Sequence, residues 1–204
     1  LSQNYLKFRN TCKFMLDNLV DFDPEKLTKP EDMPVLDRWL LTKLNELIEK
    51  AEQSYCDYEF HIITHAVNDF CVNTLSSFYL DIVKDRLYCA DEHARRCAQT
   101  ALYRILVDFT KLVAPILCFT AQEIWSYIPK LEGMQEYVCW ERMPEAKSDE
   151  DAAFDAKWAK IIAVRDDVKK VLEQARADKT IGSSLEAAVT LYCSDEMYDF
   201  LNAI

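Results

Sequence analysis

Lysine and arginine side chains recur close to aromatic residues in the first half of this 204-residue sequence. This combination suits contacts with nucleic-acid phosphates and stacking on unpaired bases. The candidate residues for this chemistry are Lys7, Arg9, Lys13, Arg38, Trp39, Lys43, Lys84, Arg86, Arg95 and Arg96. For any one of them a solvated surface or a salt bridge is the more ordinary explanation, and for Trp39 a place in the core.

Arg86 is unusual because it lies in the middle of an apolar helical stripe. Residues such as Phe78, Tyr79 and Val83 form that stripe at 100° per residue. A buried guanidinium is tolerated only when a carboxylate from a neighbouring helix meets it. We therefore predict a structural ion pair at Arg86, with direct contact to RNA as the alternative.

One pattern resembles a metal site: Asp57, His61, His65 and Asp69 recur every four residues and share a slowly drifting helix face. The glutamate of HExxH is absent, and a polar seam beside a helical core explains the residues as well. The two glycines of the chain cannot build a phosphate-binding loop, and no GxSxG motif occurs. We predict neither a metal nor a catalytic residue, and an enzyme acting through the histidine cluster is a remote alternative.

The net charge of −11 argues against nucleic acid as a partner. The charge is uneven, however, since residues 1–20 carry three basic and one acidic residue, whereas 21–60 carry five against eleven. Local basic patches are therefore compatible with the composition. A helical protein-interaction module without RNA binding remains an alternative that the acidic balance would suit.

The eight cysteines are dispersed and none is spaced as CxxC, so we expect reduced and mostly buried thiols rather than a zinc ribbon. The apolar run at 112–119 is far shorter than the roughly 20 residues that a bilayer requires. The N-terminus shows no signal-peptide pattern. We expect a soluble, cytoplasmic chain without membrane contact.

Helical periodicity with little glycine predicts a mainly α fold, an antiparallel helix bundle with a small α/β piece at its C-terminal end. We place the bundle at 1–145 and the junction helix with a partial α/β segment at 146–204. The predicted helices cover about 2–20, 34–54, 57–88, 91–113, 115–128, 151–177 and 195–203, and the third is long enough to kink. A proline-rich link occupies 21–34, YVCW at 137–140 is briefly extended, and 178–193 form a loop and a strand.

Several motifs resemble a known family. RNTCKFMLDNLVDFDP (9–24), MPVLDRWLL (33–41), FYLDIVKDRLY (78–88) and the run from 95 to 125 that ends in APILCFTAQEIW are similar to the anticodon-binding helix bundle of bacterial isoleucyl-tRNA synthetases, class I enzymes. Residues 164–191 resemble the junction that follows it. Gln122, where an acidic residue is expected, and Lys13, where arginine is usual, are small departures. Valyl and leucyl enzymes share part of these motifs and are the alternatives.

The resemblance implies a role in holding the anticodon stem-loop of isoleucine tRNA. The family's whole enzymes activate isoleucine with ATP and use magnesium and zinc, but the motifs for these tasks are missing from this sequence. We therefore expect a fragment of a ligase that is inactive alone, needs no cofactor itself, is a monomer, and has tRNA and the remaining enzyme domains as partners.

Overall fold

Helices dominate the residues that the computed structural model describes, which are 2–147 and 152–203. These residues fall into two compact units, Leu1–Asp151 and Ala152–Ile204. The first unit contains α1 (Ser2–Asp17), α2 (Val35–Cys56), α3 (Phe60–Asp69), α4 (Leu80–Tyr88), α5 (Glu92–Val113) and α6 (Cys118–Tyr127). The second contains α7 (Ala152–Ala177) and α8 (Asp195–Asn202). The predicted mainly helical fold class is confirmed.

Helix α5 forms the centre of the first unit. It begins where the side chain of Asp91 accepts a hydrogen bond from the N–H of Ala94 at 2.9 Å, which satisfies one backbone donor of the first turn. Its inward face has no solvent exposure at Ala98, Ala101, Leu102, Ile105, Leu106 and Phe109. The ring of Phe109 lies 5.3 Å from Phe8 on α1 and 5.7 Å from Phe70. Aromatic packing therefore fixes α1 against α5.

Proline governs the link between α1 and α2, as the sequence predicts. Pro24 and Pro30 each begin a single 3₁₀ turn, Pro24–Lys26 and Pro30–Asp32, because proline presets the backbone angle of a first helical residue. The Asp23 side chain caps the first of these turns by accepting from the N–H of Glu25 at 3.1 Å. Helix α2 begins directly after Pro34.

A π-helical segment, Phe70–Tyr79, joins α3 to α4 without interrupting the helix. The N–H of Leu80 donates to the carbonyl of Leu75, five residues earlier, which is the hydrogen bond of a π-helix. The predicted long third helix is therefore continuous from Phe60 to Tyr88, and it changes its winding instead of bending at a proline or glycine.

Two predictions of extended structure are wrong. Val138–Trp140 form a 3₁₀ turn, and within the second unit no strand is formed by the described residues of 187–194. A strand needs a partner for its backbone N–H and C=O groups, and the described chain offers none there. The predicted small α/β piece is thus not seen. The predicted start of the junction helix near Asp151 lies outside the described residues.

The cysteines are all unpaired, as expected, but most are not buried. Cys12, Cys71 and Cys97 lie in the core of the first unit, and burial raises the pKa of the Cys71 thiol to about 12. The other five are exposed because they lie at helix ends, in links or in the second unit.

A buried ion pair joins α2 to α4. Asp37 has no solvent exposure, and its Oδ2 accepts from Nη1 of Arg86 at 2.9 Å while the second guanidinium nitrogen bonds Oδ1. The Tyr79 hydroxyl donates to the same Oδ1 at 2.8 Å. Burial and the Asp37 charge raise the pKa of Tyr79 well above its ordinary value, so this hydroxyl keeps its proton. The ion pair predicted for Arg86 is confirmed.

Replacing Arg86 with alanine should lower the free energy of unfolding by about 3 kcal/mol, because the buried carboxyl group of Asp37 would lose its ion-pair partner. Tyr79→Phe should cost about 2 kcal/mol, since it removes a hydrogen bond to the buried carboxylate of Asp37. Urea unfolding followed by circular dichroism measures both changes. Arg9→Ala, at an exposed position of α1, is the control and should be nearly silent. An Arg86→Ala midpoint equal to that of Arg9→Ala would contradict the structural role.

Candidate nucleic-acid interface

The ten candidate residues occupy three kinds of environment. Trp39 is buried; Arg38, Lys43, Arg86, Arg95 and Arg96 are partly buried; Lys7, Arg9, Lys13 and Lys84 are exposed. With 4% exposure, the Trp39 ring packs edge-on against Phe78 at 5.1 Å between centroids. It therefore belongs to the core and presents no face for stacking on a base in this conformation.

Asp21, just after α1, binds two of the candidate arginines. Its carboxylate accepts from Arg95 Nη1 at 2.5 Å and Nη2 at 2.9 Å, and its backbone carbonyl accepts from Arg96 Nη1 at 3.0 Å. Nε2 of Gln99 donates to Asp21 Oδ1 at 2.8 Å, and Arg95 Nε donates to the carbonyl of Leu87 at 3.1 Å. We call these contacts the Asp21 clamp. It holds the end of α1 on α5 and on the end of α4.

The Asp21 clamp changes the titration of its carboxylate. Burial acts to raise the pKa of Asp21, but hydrogen bonds from Arg95 and Gln99 and the charges of Arg95 and Arg96 outweigh it. The pKa of Asp21 consequently lies below its ordinary value of 3.8. The two arginines are thus engaged in holding the fold, and contact with RNA by them stays a prediction.

The exposed face of α1 differs from the clamp because its cations are available. Within the described residues no ion pair is formed by Lys7 or Arg9. Lys13 pairs with Asp17 at 2.7 Å, but both side chains are more than 60% exposed, at 62% and 61%. An exposed pair of this kind contributes only about 0–1 kcal/mol and can be exchanged for another anion.

Candidate cations line several grooves in the described part of the first unit. The α1–α6 groove, about 560 Å³, is lined by Arg9 and Lys13 together with the carboxylates Asp17 and Glu123. The α2–α3 groove, about 460 Å³, is lined by Lys43 and Lys50 together with Glu46 and Asp69. The α1–α4 groove, about 340 Å³, is lined by Lys7, Asn10, Thr11, Phe14, Val72, Ser76, Leu80 and Lys84. The structure therefore brings Lys7 together with Lys84, and Arg9 together with Lys13.

Asn10, Phe14 and Lys50 line these grooves but are not among the ten candidates predicted from the sequence. Asn10 and Phe14 follow Lys7 by three and seven residues, so helical periodicity places them on one face of α1 and could have identified them. Lys50 follows Lys43 by seven residues in the same way. Helical periodicity in the sequence does not indicate that Lys84 and Lys7 line the same groove.

The family described as the anticodon-binding domain of tRNA ligase matches residues 37–191, about three quarters of the chain. The chain belongs to this family of anticodon-binding domains. The family's match begins at the buried Asp37, so the cationic face of α1 precedes it.

Individual relatives of this anticodon-binding domain extend over α1 as well. The protein named isoleucine–tRNA ligase from Moorella thermoacetica is 44% identical over 208 residues and covers all of this chain. Proteins of the same name from Geobacter sulfurreducens and Geobacillus thermodenitrificans are 46% and 47% identical and cover 98% and 100% of it. The chain spans 22% of the length of each of these relatives.

The remaining polar candidates of this anticodon-binding domain do not converge. His61, His65 and Asp69 are exposed on α3, and no group of three or more His, Cys, Asp or Glu side chains in the described residues is arranged to hold a metal. Among the helices in the described ranges, none is long and apolar enough to cross a bilayer.

The Asp21 clamp predicts a stability difference that depends on pH. Because the pKa of Asp21 is lower in the folded than in the unfolded domain, the clamp stabilises the fold above the ordinary value of 3.8 and loses this contribution as the pH falls through the folded value. Asp21→Asn should therefore be less stable than the unmodified domain near pH 7, and the gap should narrow towards about pH 3.

Thermal unfolding of both proteins across this pH range measures the gap. Asp17→Asn, which removes only an exposed pair, is the control and should differ little from the unmodified domain near pH 7. A gap for Asp21→Asn that stays constant down to about pH 3 would show that the charge of the carboxylate does not hold the clamp.

Proposed function

We propose that this chain binds the anticodon stem-loop of isoleucine tRNA as part of an isoleucine–tRNA ligase. The observation that carries the proposal is the match to the family of anticodon-binding domains, combined with relatives of 44–47% identity that bear the ligase's name. The available cations of α1 support it further. They provide a surface for an anionic partner in a chain of net charge −11.

Lysine and arginine side chains on α1 would contact phosphates of the stem-loop, and these contacts would fix the position of the tRNA without reading its bases. Arg9 and Lys13 lie side by side along the α1–α6 groove, which suits a backbone that passes along the helix. The Asp21 clamp would hold α1 in place while the RNA binds. In this proposal the half-buried arginines of α5 hold α1 in place, and the exposed cations of α1 contact the RNA.

The proposed domain contributes position rather than bond chemistry. Binding energy collected at the anticodon would orient the acceptor end of the tRNA in a catalytic domain elsewhere in the enzyme. ATP, magnesium and zinc would act in those other parts, and the domain itself would need no cofactor. We further propose that it works as a monomer in the cytoplasm, with the other domains of the ligase as its protein partners.

Titration with tRNA tests this proposal. The chain should bind isoleucine tRNA more tightly than valine tRNA, with an affinity that falls as salt rises. Each phosphate contact should contribute a slope of about −0.7 to −0.9 in a plot of log affinity against log salt. Fluorescence anisotropy of labelled tRNA at several salt concentrations measures both quantities.

Two outcomes would contradict the proposal in different ways. A preference for valine tRNA would assign the chain to a different tRNA ligase, and equal binding of both tRNAs would contradict the proposed specificity for isoleucine tRNA. Absence of measurable binding, or binding that does not depend on salt, would favour a helical protein-interaction module, which the net charge of −11 also fits. Arg9→Ala with Lys13→Ala should weaken binding without lowering the unfolding midpoint, since both side chains are exposed.

A further inference from the structure

The α1–α4 groove differs from the α1–α6 and α2–α3 grooves in its charge. Lys7 and Lys84 line it, and no carboxylate is among the residues that line it. The α1–α6 and α2–α3 grooves each contain two carboxylates beside their cations. In a chain with 35 acidic and 24 basic residues, a groove lined only by cationic, polar and apolar side chains is a distinctive feature. Its electrostatic environment favours an anion.

The lining of this groove is part apolar and part polar. Leu80 is 6% exposed, and Phe14 and Val72 are half-buried, so these three side chains supply an apolar surface. Lys7 and Asn10 are exposed and supply hydrogen-bond donors beside it. A volume of about 340 Å³ lies at the lower end of the range of ligand pockets, roughly 300–1,000 Å³.

The hydroxyls of Thr11 and Ser76 connect the two walls of the groove. Thr11 Oγ1 donates to the carbonyl of Lys7 at 2.9 Å and lies 3.2 Å from Ser76 Oγ. Because the Thr11 proton is used within α1, Ser76 is the donor in the contact between them. This bond ties α1 to the π-helical segment, so a contact within the fold fixes the two walls of the groove relative to each other.

Neither lysine of the groove has to break a strong ion pair in order to bind a ligand. Lys7 forms no ion pair within the described residues, and Lys84 pairs with Asp81 at 2.9 Å. That pair is exposed, at 49% and 72%, so an incoming phosphate can replace the Asp81 carboxylate.

We propose that the α1–α4 groove binds one unpaired nucleotide of RNA, with its phosphate between Lys7 and Lys84 and its base on Phe14, Val72 and Leu80. Single-stranded RNA presents this combination of a charged backbone and an aromatic face at every nucleotide. The inference rests on the proposed function for its RNA, because the groove would hold a nucleotide beside the bound stem-loop. The site itself can be tested with any single strand.

The phosphate contacts are tested by salt titration with oligouridine, which contains no isoleucine-specific feature. Lys7→Ala with Lys84→Ala should make the slope of log affinity against log salt shallower by about 1.4, which corresponds to two contacts on a single strand. Lys26→Ala with Lys29→Ala is the matched control, since both are exposed lysines outside the candidate set that pair with the carboxylates Asp23 and Glu31. The control should keep the slope of the unmodified chain.

The contact with the base is tested by Phe14→Leu, which keeps an apolar side chain but removes the ring. Affinity for oligouridine should fall by at least about fivefold, with the salt slope unchanged. Melting curves of every variant must match that of the unmodified chain, which separates lost binding from lost folding. If Phe14→Leu lowers the melting midpoint, Val72→Asp, which places a carboxylate in the groove, replaces it and should weaken binding to the same strand.

Four results test the proposed nucleotide site in the groove, and the first two separate it from the proposed function of the chain. Loss of oligouridine binding in the Lys7 and Lys84 variant, without any preference for isoleucine tRNA, would support the groove and overturn the proposed function. Equal slopes in this variant and in the Lys26 and Lys29 control would overturn the groove, whatever tRNA the chain prefers. Polyglutamate that binds as tightly as oligouridine would show a general anion surface and would also overturn it. No oligouridine binding at all would do the same.

Discussion

The buried carboxylate of Asp37 is the interaction on which the arrangement of the bundle depends. A charge without solvent contact is costly unless hydrogen bonds surround it, and Asp37 obtains them from Arg86 and Tyr79. These partners come from α4 and from the π-helical segment, so the first turn of α2 has to meet both. Lys84 lies on the same short helix as Arg86 and reaches the α1–α4 groove. The buried ion pair between Asp37 and Arg86 thus fixes the helix that places Lys84 at the surface.

A second set of charged residues fixes α1 in a similar way. Asp21 engages Arg95 and Arg96 and ties the end of α1 to α5, while Phe8 fixes the other half of the helix against Phe109. Held at its middle and just after its C-terminal end, α1 presents its exposed cations on a rigid support. Rigid placement matters for recognition because less conformational freedom is lost when a partner binds. The overall acidity of the chain is compatible with this surface because much of its acid lies away from α1.

The sequence allowed the helices, their proline-bounded link and the ion pair of Arg86 to be predicted, since each follows from local periodicity or from the cost of burying charge. Its partner Asp37 could not be identified, because 49 residues separate the two and periodicity contains no information about which helices touch. The same limit explains why periodicity does not separate Arg95 and Arg96, which bind Asp21, from the exposed cations of α1, and why it does not link Lys84 to Lys7. The strand predicted within 178–193 does not form for a different reason: its residues favour extended backbone, but a strand also depends on a partner that local sequence does not specify.

The π-helical segment has a consequence for how the length of this chain can vary. In the α-helical parts of Phe60–Tyr88, loss of one residue would rotate everything beyond it by about 100° and turn Arg86 away from Asp37. Within Phe70–Tyr79 the surplus residues of the wider turns can absorb such a loss, since the segment would tighten to α-helix and leave both flanks in phase. Single-residue deletions among homologues should therefore occur mostly in this segment. A deletion there would keep the Asp37–Arg86 ion pair but would make the helix narrower beside Ser76, in one wall of the α1–α4 groove.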